Sequence, residues 1–508
     1  MAKLTRRDFM RTAGGFVAAG TLASQFPGLA EEAEKRRFNI LFMMTDQHNH
    51  NVLGCAGSPI VKTPTLDKLA NEGAMFTDAV CATPFCSPTR ASLITGMWPH
   101  THGIVQNIDG TKVGLKDDVV ATEQILFDKG YETFHMGKWH LGKEPDLRCY
   151  RKDAEKLAQE SHNRYVKGLP ENAWDKPREG EVEAEGVAMT PEMAEFAKMW
   201  SAETNRSAQN LSLIGRQLLK PEHTYESWLA DRCVEEIKKY KDENFMITWS
   251  VSPPHALWMV PEPYYSMYDP AKMPIPPNFG DHPEVYQSSQ PGRMGKLMGE
   301  KLLREYLRCY YGQVTLMDAL MGRILKALKD EGQEKDTLVI FTSDHGDMQA
   351  GHRMIGKSLP AFYEEIVRVP LLMRHPSIKP GGKLHTHVNS VDMMPTLLDF
   401  AGVKTPKGVQ GTSVKRLAQG KGTEDDRPAF CERGKGDKGG YSRMIRTKEW
   451  KYVIFADGRR ELFDLKKDPY EVTNLADDKP SAMADLHKRL LAQMEATRDP
   501  ALALAPKV

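Results

Sequence analysis

The sequence of 508 residues has almost no net charge: 69 lysines and arginines against 68 acidic residues leave a formal +1. So even a balance argues against a nucleic-acid binder and against a polybasic membrane anchor, both of which need surplus cations. Cysteine is scarce and scattered, at Cys55, Cys81, Cys86, Cys149, Cys233, Cys309 and Cys431. None forms a C-x-x-C pair, which speaks against a zinc or dithiol redox site. With Cys86 set aside, the other cysteines could pair in an oxidising compartment, and spacing does not say whether they do. No internal repeat stands out. What is present, 40% hydrophobic and 27% charged residues, fits a soluble globular protein with a sizeable core. The length asks for one large domain plus a smaller one.

The start of the chain reads as a leader. Thr5-Arg6-Arg7-Asp8-Phe9-Met10-Arg11 is followed by a Gly/Ala-rich stretch, residues 13–23, and by the small-x-small site Gly28-Leu29-Ala30. Basic, apolar and cleavage regions in that order define a secretory signal, and the paired arginines resemble the twin-arginine signal of bacteria. Residues 1–30 are therefore expected to send a folded protein through the Tat export machinery to the periplasm or beyond. After this leader no apolar run is long enough to span a bilayer, so no stable membrane anchor is expected. Asn205-Arg206-Ser207 and Asn210-Leu211-Ser212 match glycosylation acceptors, which a bacterial signal makes coincidental.

Asn39-Ile40-Leu41-Phe42-Met43-Met44-Thr45 is a continuous apolar run closed by Asp46. Such runs read as strands buried on both faces of a parallel sheet, and others lie at 245–251, 337–342 and 369–373. Helical patterns separate them at 64–72, 227–240 and 302–329. Strands alternating with helices predict an α/β doubly wound domain, with ligands gathered at the carboxyl ends of the strands. Asp46 and Asp344 each fall just past such an end. This domain is expected over 36–425. A charged insertion at about 144–225 reads as mostly solvated surface, helical in part, and the Pro-, Tyr- and Met-rich stretch 261–298 as irregular chain able to shape a pocket rim. Residues 426–508 read as a smaller α+β unit, with short strands at 443–446, 451–455 and 461–465, a turn at Asp457-Gly458 and a helix at 481–496.

Residues 86–96 read Cys-Ser-Pro-Thr-Arg-Ala-Ser-Leu-Ile-Thr-Gly. Ser87 suits an N-cap, Pro88 the first helical position and Gly96 the C-terminal stop. Cys86 is then expected just before a helix N-terminus, where backbone N–H groups and the dipole favour an anion, with Arg90 one turn on. Physics alone makes this an anion site with a reactive thiol.

The same segment resembles the signature of the sulfatase family, C-x-P-x-R followed by a small residue, Ser and a downstream T-G. The likeness extends over about 38–475. Asn39 to Gln47 and Ser343-Asp344-His345-Gly346-Asp347 resemble its metal-binding strand ends. Gly137-Lys138-Trp139-His140-Leu141-Gly142, Ser252-Pro253-Pro254-His255, Gly356-Lys357 with Phe362 to Pro370, and Glu461 to Leu475 match further family segments. The resemblance implies an alkaline-phosphatase-like fold, a large, mixed, mostly parallel sheet sandwiched by helices with a smaller C-terminal α+β domain. It also implies that a maturation enzyme oxidises Cys86 to formylglycine. Hydrated, that aldehyde offers one hydroxyl to attack sulfur and a second whose deprotonation restores the carbonyl.

The roles implied are as follows. Asp46, Gln47, Asp344 and His345, with the group derived from Cys86, hold a divalent ion, Ca²⁺ first. Gln47 stands where many relatives have Asp, and His345 where others have Asn, which keeps Mn²⁺ and Mg²⁺ open. Arg90, Lys138 and Lys357 meet the charge of the sulfate. His255, with Lys357, protonates the leaving oxygen, and His140 takes the proton of the second hydroxyl. His102 is a candidate supporting residue, and Trp139 and Trp258 either stack on a sugar or aryl group or pack in the core. Asp347 is expected to support its turn, Glu364, Glu365 and Arg368 to form structural ion pairs, and His48, His50, His352, His385 and His387 to make local hydrogen bonds. The expected reaction is hydrolysis of a sulfate ester on a carbohydrate, polysaccharide or aryl group, with no nucleic-acid partner. A phosphonate or phosphate ester hydrolase of the same superfamily is the nearest alternative. A non-catalytic binder of sulfated glycans with an unmodified Cys86 is a second.

Overall fold

The computed structural model describes residues 38–506, apart from 109–113, 117, 143–153, 185, 205–213, 358–360, 437–439 and 479. The leader, Cys149 and both glycosylation-like sequences fall outside these residues. The four expected apolar runs fall in strands β1 (Asn39–Thr45), β4 (Phe245–Ser250), β5 (Thr337–Ser343) and β6 (Leu371–Arg374), and the sequence pattern did not announce β2 (Ala74–Phe76), β3 (Glu132–Gly137) and β7 (Gly382–Leu384). They form one sheet of seven strands in the order β7-β2-β6-β5-β1-β4-β3. β5, β1, β4 and β3 run parallel, while β6 is antiparallel to both β5 and β2. The sheet is thus mixed and mostly parallel, as expected.

Alternate side chains of β1 feed two separate cores, which is why its run is apolar throughout. Leu41 and Met43 pack with α1 (Pro64–Glu72), α3 (Tyr225–Lys239) and α4 (Glu300–Asp330), through Leu66, Leu229 and Leu320 among others. Ile40, Phe42 and Met44 pack on the opposite side with Leu93 of α2 (Cys86–Thr95) and Leu397 of α5 (Met393–Phe400). Pro at the start of α1 and the long apolar face of α4 give the expected boundaries to within two residues.

The insertion differs from its expected solvated character. Val187, Met189, Phe196, Trp200 and Ile214 are buried against α4, and strands Val182–Ala184, Val187–Met189, Ile214–Gln217 and Trp258–Pro261 form a second, four-stranded sheet. The density of charge on its exposed positions conceals these short apolar clusters. The stretch after Pro261, expected to be irregular throughout, holds short helices at Glu284–Gln287 and Gln290–Leu297 and lends Tyr265, Tyr268, Met273 and Met294 to the same core.

At the C-terminal end, β8 (Ala429–Arg433), β9 (Ser442–Arg446), β10 (Trp450–Phe455) and β11 (Arg460–Asp464) make an antiparallel meander backed by α6 (Pro480–Thr497). β8 is a strand the sequence pattern did not announce. Its Glu432 accepts from His100 Nδ1 at 2.7 Å, His100 Nε2 faces Thr497 O at 3.1 Å, and Arg443 pairs with Asp499. Among the described residues Cys55, Cys81, Cys86, Cys233, Cys309 and Cys431 are all free thiols, and no helix is long and apolar enough to cross a membrane.

Two expectations follow. Gly137 ends β3 at φ 96°, and a Cβ there would lie 2.0 Å from Ser250 O. Gly137→Ala should therefore cost about 2–4 kcal/mol in urea unfolding. Burial opposes the charged form of His100, but Glu432 and then Asp499 raise its pKa above the usual 6.5. A raised histidine stabilises fully below pH 6.5 and loses that contribution as pH rises through its folded pKa. The stability gap between the wild-type protein and His100→Gln should be widest below pH 6.5 and narrow above it. A gap independent of pH would contradict the assignment.

Candidate active site

Register builds the site. Thr45 of β1 lies beside Ser343 of β5, so the next residues, Asp46 and Asp344, stand next to each other beyond the strand ends, roughly one strand spacing (~4.8 Å) apart. Ser250 of β4 pairs with both Met44 and Gly137, which brings Ser250 and Lys138 to the same edge.

α2 meets this edge with its first turn. It begins at Cys86 itself, with Phe85 in the extended conformation before it, so the cap falls two residues before the expected Ser87 and Cys86 is the first helical residue. Ser87 Oγ instead donates to His140 O at 2.6 Å, and the Ser87 amide donates to Asn107 Oδ1 at 3.1 Å. Gly96 stops the helix as expected, at φ 65°. Cys86 and Arg90, four residues apart, share one helix face. The Arg90 guanidinium is 2% exposed and fully engaged: Nε donates to Asp344 Oδ2 at 2.9 Å, Nη2 to Asp46 Oδ2 at 3.0 Å, and Nη1 to Ser250 Oγ and Lys138 O. Lys138 Nζ is 2.6 Å from Asp46 Oδ2.

The outer carboxylate oxygens are thus held by cations. The remaining oxygens join His345 Nε2 and Cys86 Sγ in a buried group whose ligand-capable atoms all lie within 4.8 Å of one another. His345 Nδ1 donates to Gly346 O at 2.9 Å, which leaves Nε2 as the coordinating nitrogen. Gln47, at φ 63°, gives its side-chain amide nitrogen to Asp347 Oδ2 at 2.6 Å, leaving the carbonyl oxygen as its available ligand. Asp347 also accepts from Tyr306 Oη, so it positions Gln47 as well as its own turn. Lys357 Nζ lies 2.7 Å from Cys86 Sγ, 3.1 Å from His345 Nε2 and 3.3 Å from His255 Nε2.

Charge is distributed unevenly over these groups. Burial would raise Asp46, but Lys138, His255, Arg90 and Lys357 hold it well below the usual carboxylate range. Burial, then the charge of Asp46, pushes Asp344 up to about 6, as expected of the weaker acid in a close pair. For Cys86, burial and Asp46 favour the thiol, yet the cations of Lys138, Lys357 and His345 prevail and hold it well below its usual value. Burial and the Lys357 ammonium pull His255 down to about 4.

Residues 38–403 match the Sulfatase family, and residues 352–499 match the C-terminal part of N-sulphoglucosamine sulphohydrolase. The chain belongs to the sulfatase family. An ulvan-active sulfatase of Formosa agariphila is 30% identical over 459 residues, 88% of this chain and 78% of the relative. An arylsulfatase of Clostridium perfringens is 30% identical over 483 residues, 90% of this chain and 94% of the relative. A phosphonate monoester hydrolase of Silicibacter pomeroyi superposes with a TM-score of 0.75 at 24% identity, over 92% of this chain and 97% of its own, a likeness of fold.

Membership of the alkaline-phosphatase-like sulfatases implies a divalent ion and a formylglycine, and the donor set suits an ion: two carboxylates, an inward imidazole nitrogen and an amide oxygen. The residues named from sequence in this sulfatase are brought together as expected for Asp46, Cys86, Lys138, His255, Asp344, His345 and Lys357. Arg90 departs from its expected role, because every donor nitrogen is taken by the protein; it positions the acids and does not face a substrate. His140, at φ 55°, is tied to the signature helix through its carbonyl. His102 packs on that helix as a support: Nδ1 accepts from the Ile104 amide and Nε2 meets Ser92 Oγ at 3.1 Å. Trp139 and Trp258 are core residues. Ser250, Tyr306 and Asn107 are the contributors that sequence reading missed; their contacts join segments tens to hundreds of residues apart, and no local pattern marks them.

Removing the guanidinium strands two buried carboxylates. Arg90→Met should lower the unfolding free energy of the metal-free protein by about 3–5 kcal/mol in urea. An unaltered value would show that the guanidinium is not their counter-charge.

Proposed function

We propose that this sulfatase is an exported sulfuric ester hydrolase acting on sulfated carbohydrate or aryl sulfate, with Cys86 as the precursor of its nucleophile. The observation that carries the reading is the position of Cys86 Sγ: fully buried, 3.7 Å from Asp46 Oδ1, 3.3 Å from His345 Nε2 and 2.7 Å from Lys357 Nζ. That sulfur stands in for the aldehyde oxygen of the matured residue. The twin-arginine leader supports export and maturation before release; the names of the ulvan-active and arylsulfatase relatives support the ester class.

Asp46, Gln47, Asp344 and His345 would hold the ion, Ca²⁺ or, given the imidazole and the amide, Mn²⁺ or Mg²⁺. Bound there, the ion supplies Lewis acidity toward an ester oxygen and a hydroxyl, and the hydrated formylglycine supplies the hydroxyls. Lys138 and Lys357 offset the negative charge of the sulfate, and Arg90 fixes the two acids so that none of this requires rearrangement. Lys357 Nζ and His255 Nε2, 3.3 Å apart, form a proton pair that serves the leaving oxygen. His140 would take the proton of the second hydroxyl once Cys86 is matured. Burial of Asp46, Cys86, Asp344 and His345 keeps bulk water from the reacting groups.

Peptide mass spectrometry of protein matured in its host should find an aldehyde at position 86, and that protein should release inorganic sulfate from aryl or sugar sulfates. Cys86→Ala and chelation of the ion should each abolish release, and His255→Ala should lower kcat by about 10²–10⁴-fold. Fully matured protein that cleaves phosphonate esters and releases no sulfate would overturn the reading in favour of the phosphorus alternative.

A further inference from the structure

Beside Cys86 lies a cleft whose cations the chemistry above leaves unused. Its volume is about 860 Å³, and its walls include Phe85, Asn107, Arg433, Lys435, Tyr441 and Arg459. A single sulfated ring fills only part of such a space. The cleft is bounded by residues that flank the nucleophile in chain and contact. Phe85 precedes Cys86 in the chain, and Asn107 Oδ1 holds the amide of Ser87. The Arg433 guanidinium sits 5.9 Å from the centroid of the Phe85 ring, and the Lys357 ammonium 5.7 Å from the same centroid. The cleft cation and the lysine that touches Cys86 thus lie against the same aromatic ring.

The charge in the cleft is one-sided. Arg459 is matched by Asp457 at 2.7 Å. Arg433 is half-buried, and burial pulls it down to about 10. Neither Arg433 nor Lys435 has a carboxylate partner among the described residues. In a chain with a formal charge of only +1, two cations unmatched among the described residues in one cleft are a local excess, and a half-buried guanidinium is ordinarily paired.

We infer that Arg433 and Lys435, in the cleft lined by Phe85, the residue before Cys86, form a second anion subsite that holds an oxyanion on the sugar unit adjoining the one whose sulfate is removed. The ligand is a sulfate or a uronate carboxylate; both offer the planar or forked oxygens that a guanidinium binds in bidentate fashion. This deepens, and rests on, the sulfate-ester reading: it selects polyanionic saccharides over isolated aryl sulfates. Lys435, exposed at the mouth, draws the chain in, and Arg433 fixes its register.

The test compares p-nitrophenyl sulfate with three defined disaccharides: singly sulfated, doubly sulfated, and singly sulfated with a uronate. In the wild-type sulfatase the doubly charged disaccharides should give the higher kcat/KM. Arg433→Ala should lower the ratio of kcat/KM for doubly over singly charged disaccharides about tenfold, and Arg433→Lys should recover part of it. The two doubly charged substrates tell a sulfate subsite from a carboxylate subsite. A ratio the same in Arg433→Ala as in wild type, with every disaccharide, would overturn the inference. Binding is read separately in Cys86→Ala protein, where adding Arg433→Ala should weaken the calorimetric Kd for the doubly sulfated disaccharide about tenfold; equal Kd values would also overturn it. Absence of sulfate release by the wild type from all four substrates is the distinct failure of the sulfate-ester reading, and leaves the binding measurement to decide the subsite. Should Arg433→Ala not fold, judged by its thermal midpoint, Lys435→Ala replaces it in both measurements.

Discussion

Two carboxylates placed side by side in a protein interior repel each other, and the guanidinium between Asp46 and Asp344 is what lets the catalytic edge exist. Parallel pairing of β1 with β5 forces the acids together. Arg90 meets one with Nε and the other with Nη2, a fork that the point charge of a lysine does not reproduce. Cys86 lies one helical turn before Arg90, so the bond that orients the acids also fixes the nucleophile relative to them. This gives the C-x-P-x-R spacing a mechanical meaning: the helix is a ruler, with the reacting group at one mark and its electrostatic anchor at the next. Lys138, just past β3, completes the arrangement: its Nζ meets the same Oδ2 of Asp46 as Arg90 does, and its carbonyl accepts from Arg90.

A second buried charge cluster joins the C-terminal sheet to the segment that follows Lys357. Arg446 and Lys451 both meet Glu364, at 2.8 and 2.7 Å, and Lys451 also meets Glu471 at 2.6 Å. Burial, reinforced by Glu364, pushes Glu471 up to about 8, so the cluster is less charged than its formula suggests. Buried pairs of this kind are a weak source of stability and a good source of register. Here the register matters, because Arg433 at the end of β8 and Lys435 just after it line the cleft next to Phe85, and a slipped joint would turn them away from it.

The sequence made the large elements legible where local chemistry and tertiary demand agree. The run from Asn39 to Thr45 is apolar at every position because both faces are buried, and α1 starts at Pro64 because proline tolerates the first helical turn. Agreement failed at Cys86, where Ser87 and Pro88 looked like a cap and first position, yet Ser87 Oγ is drawn to His140 O and the helix takes in Cys86 itself. It failed also over the insertion, whose charged surface hides Phe196 and Trp200. The members of the site were readable one by one, through strand ends and a short signature. Their partnerships were not: that Arg90 is consumed by carboxylates, that Asp347 holds Gln47, and that Ser250 braces the guanidinium follow only from strand register, which no single segment encodes.

Backbone conformation at the edge carries the same lesson one step further. Gln47 and His140 both adopt positive φ, 63° and 55°, a conformation that non-glycine residues leave unless something holds them. Gln47 is held on both sides: its carbonyl accepts from Tyr310 Oη at 2.5 Å and its side chain is gripped by Asp347, which α4 braces through Tyr306. His140 is held by Ser87, at the start of the helix that carries Cys86. Each strained residue is thus restrained by a rigid element that serves another part of the site. The edge is stiff because its distortions are shared between β1, α2 and α4, and an edge stiff in that sense can present fixed charges to a substrate without first reorganising them.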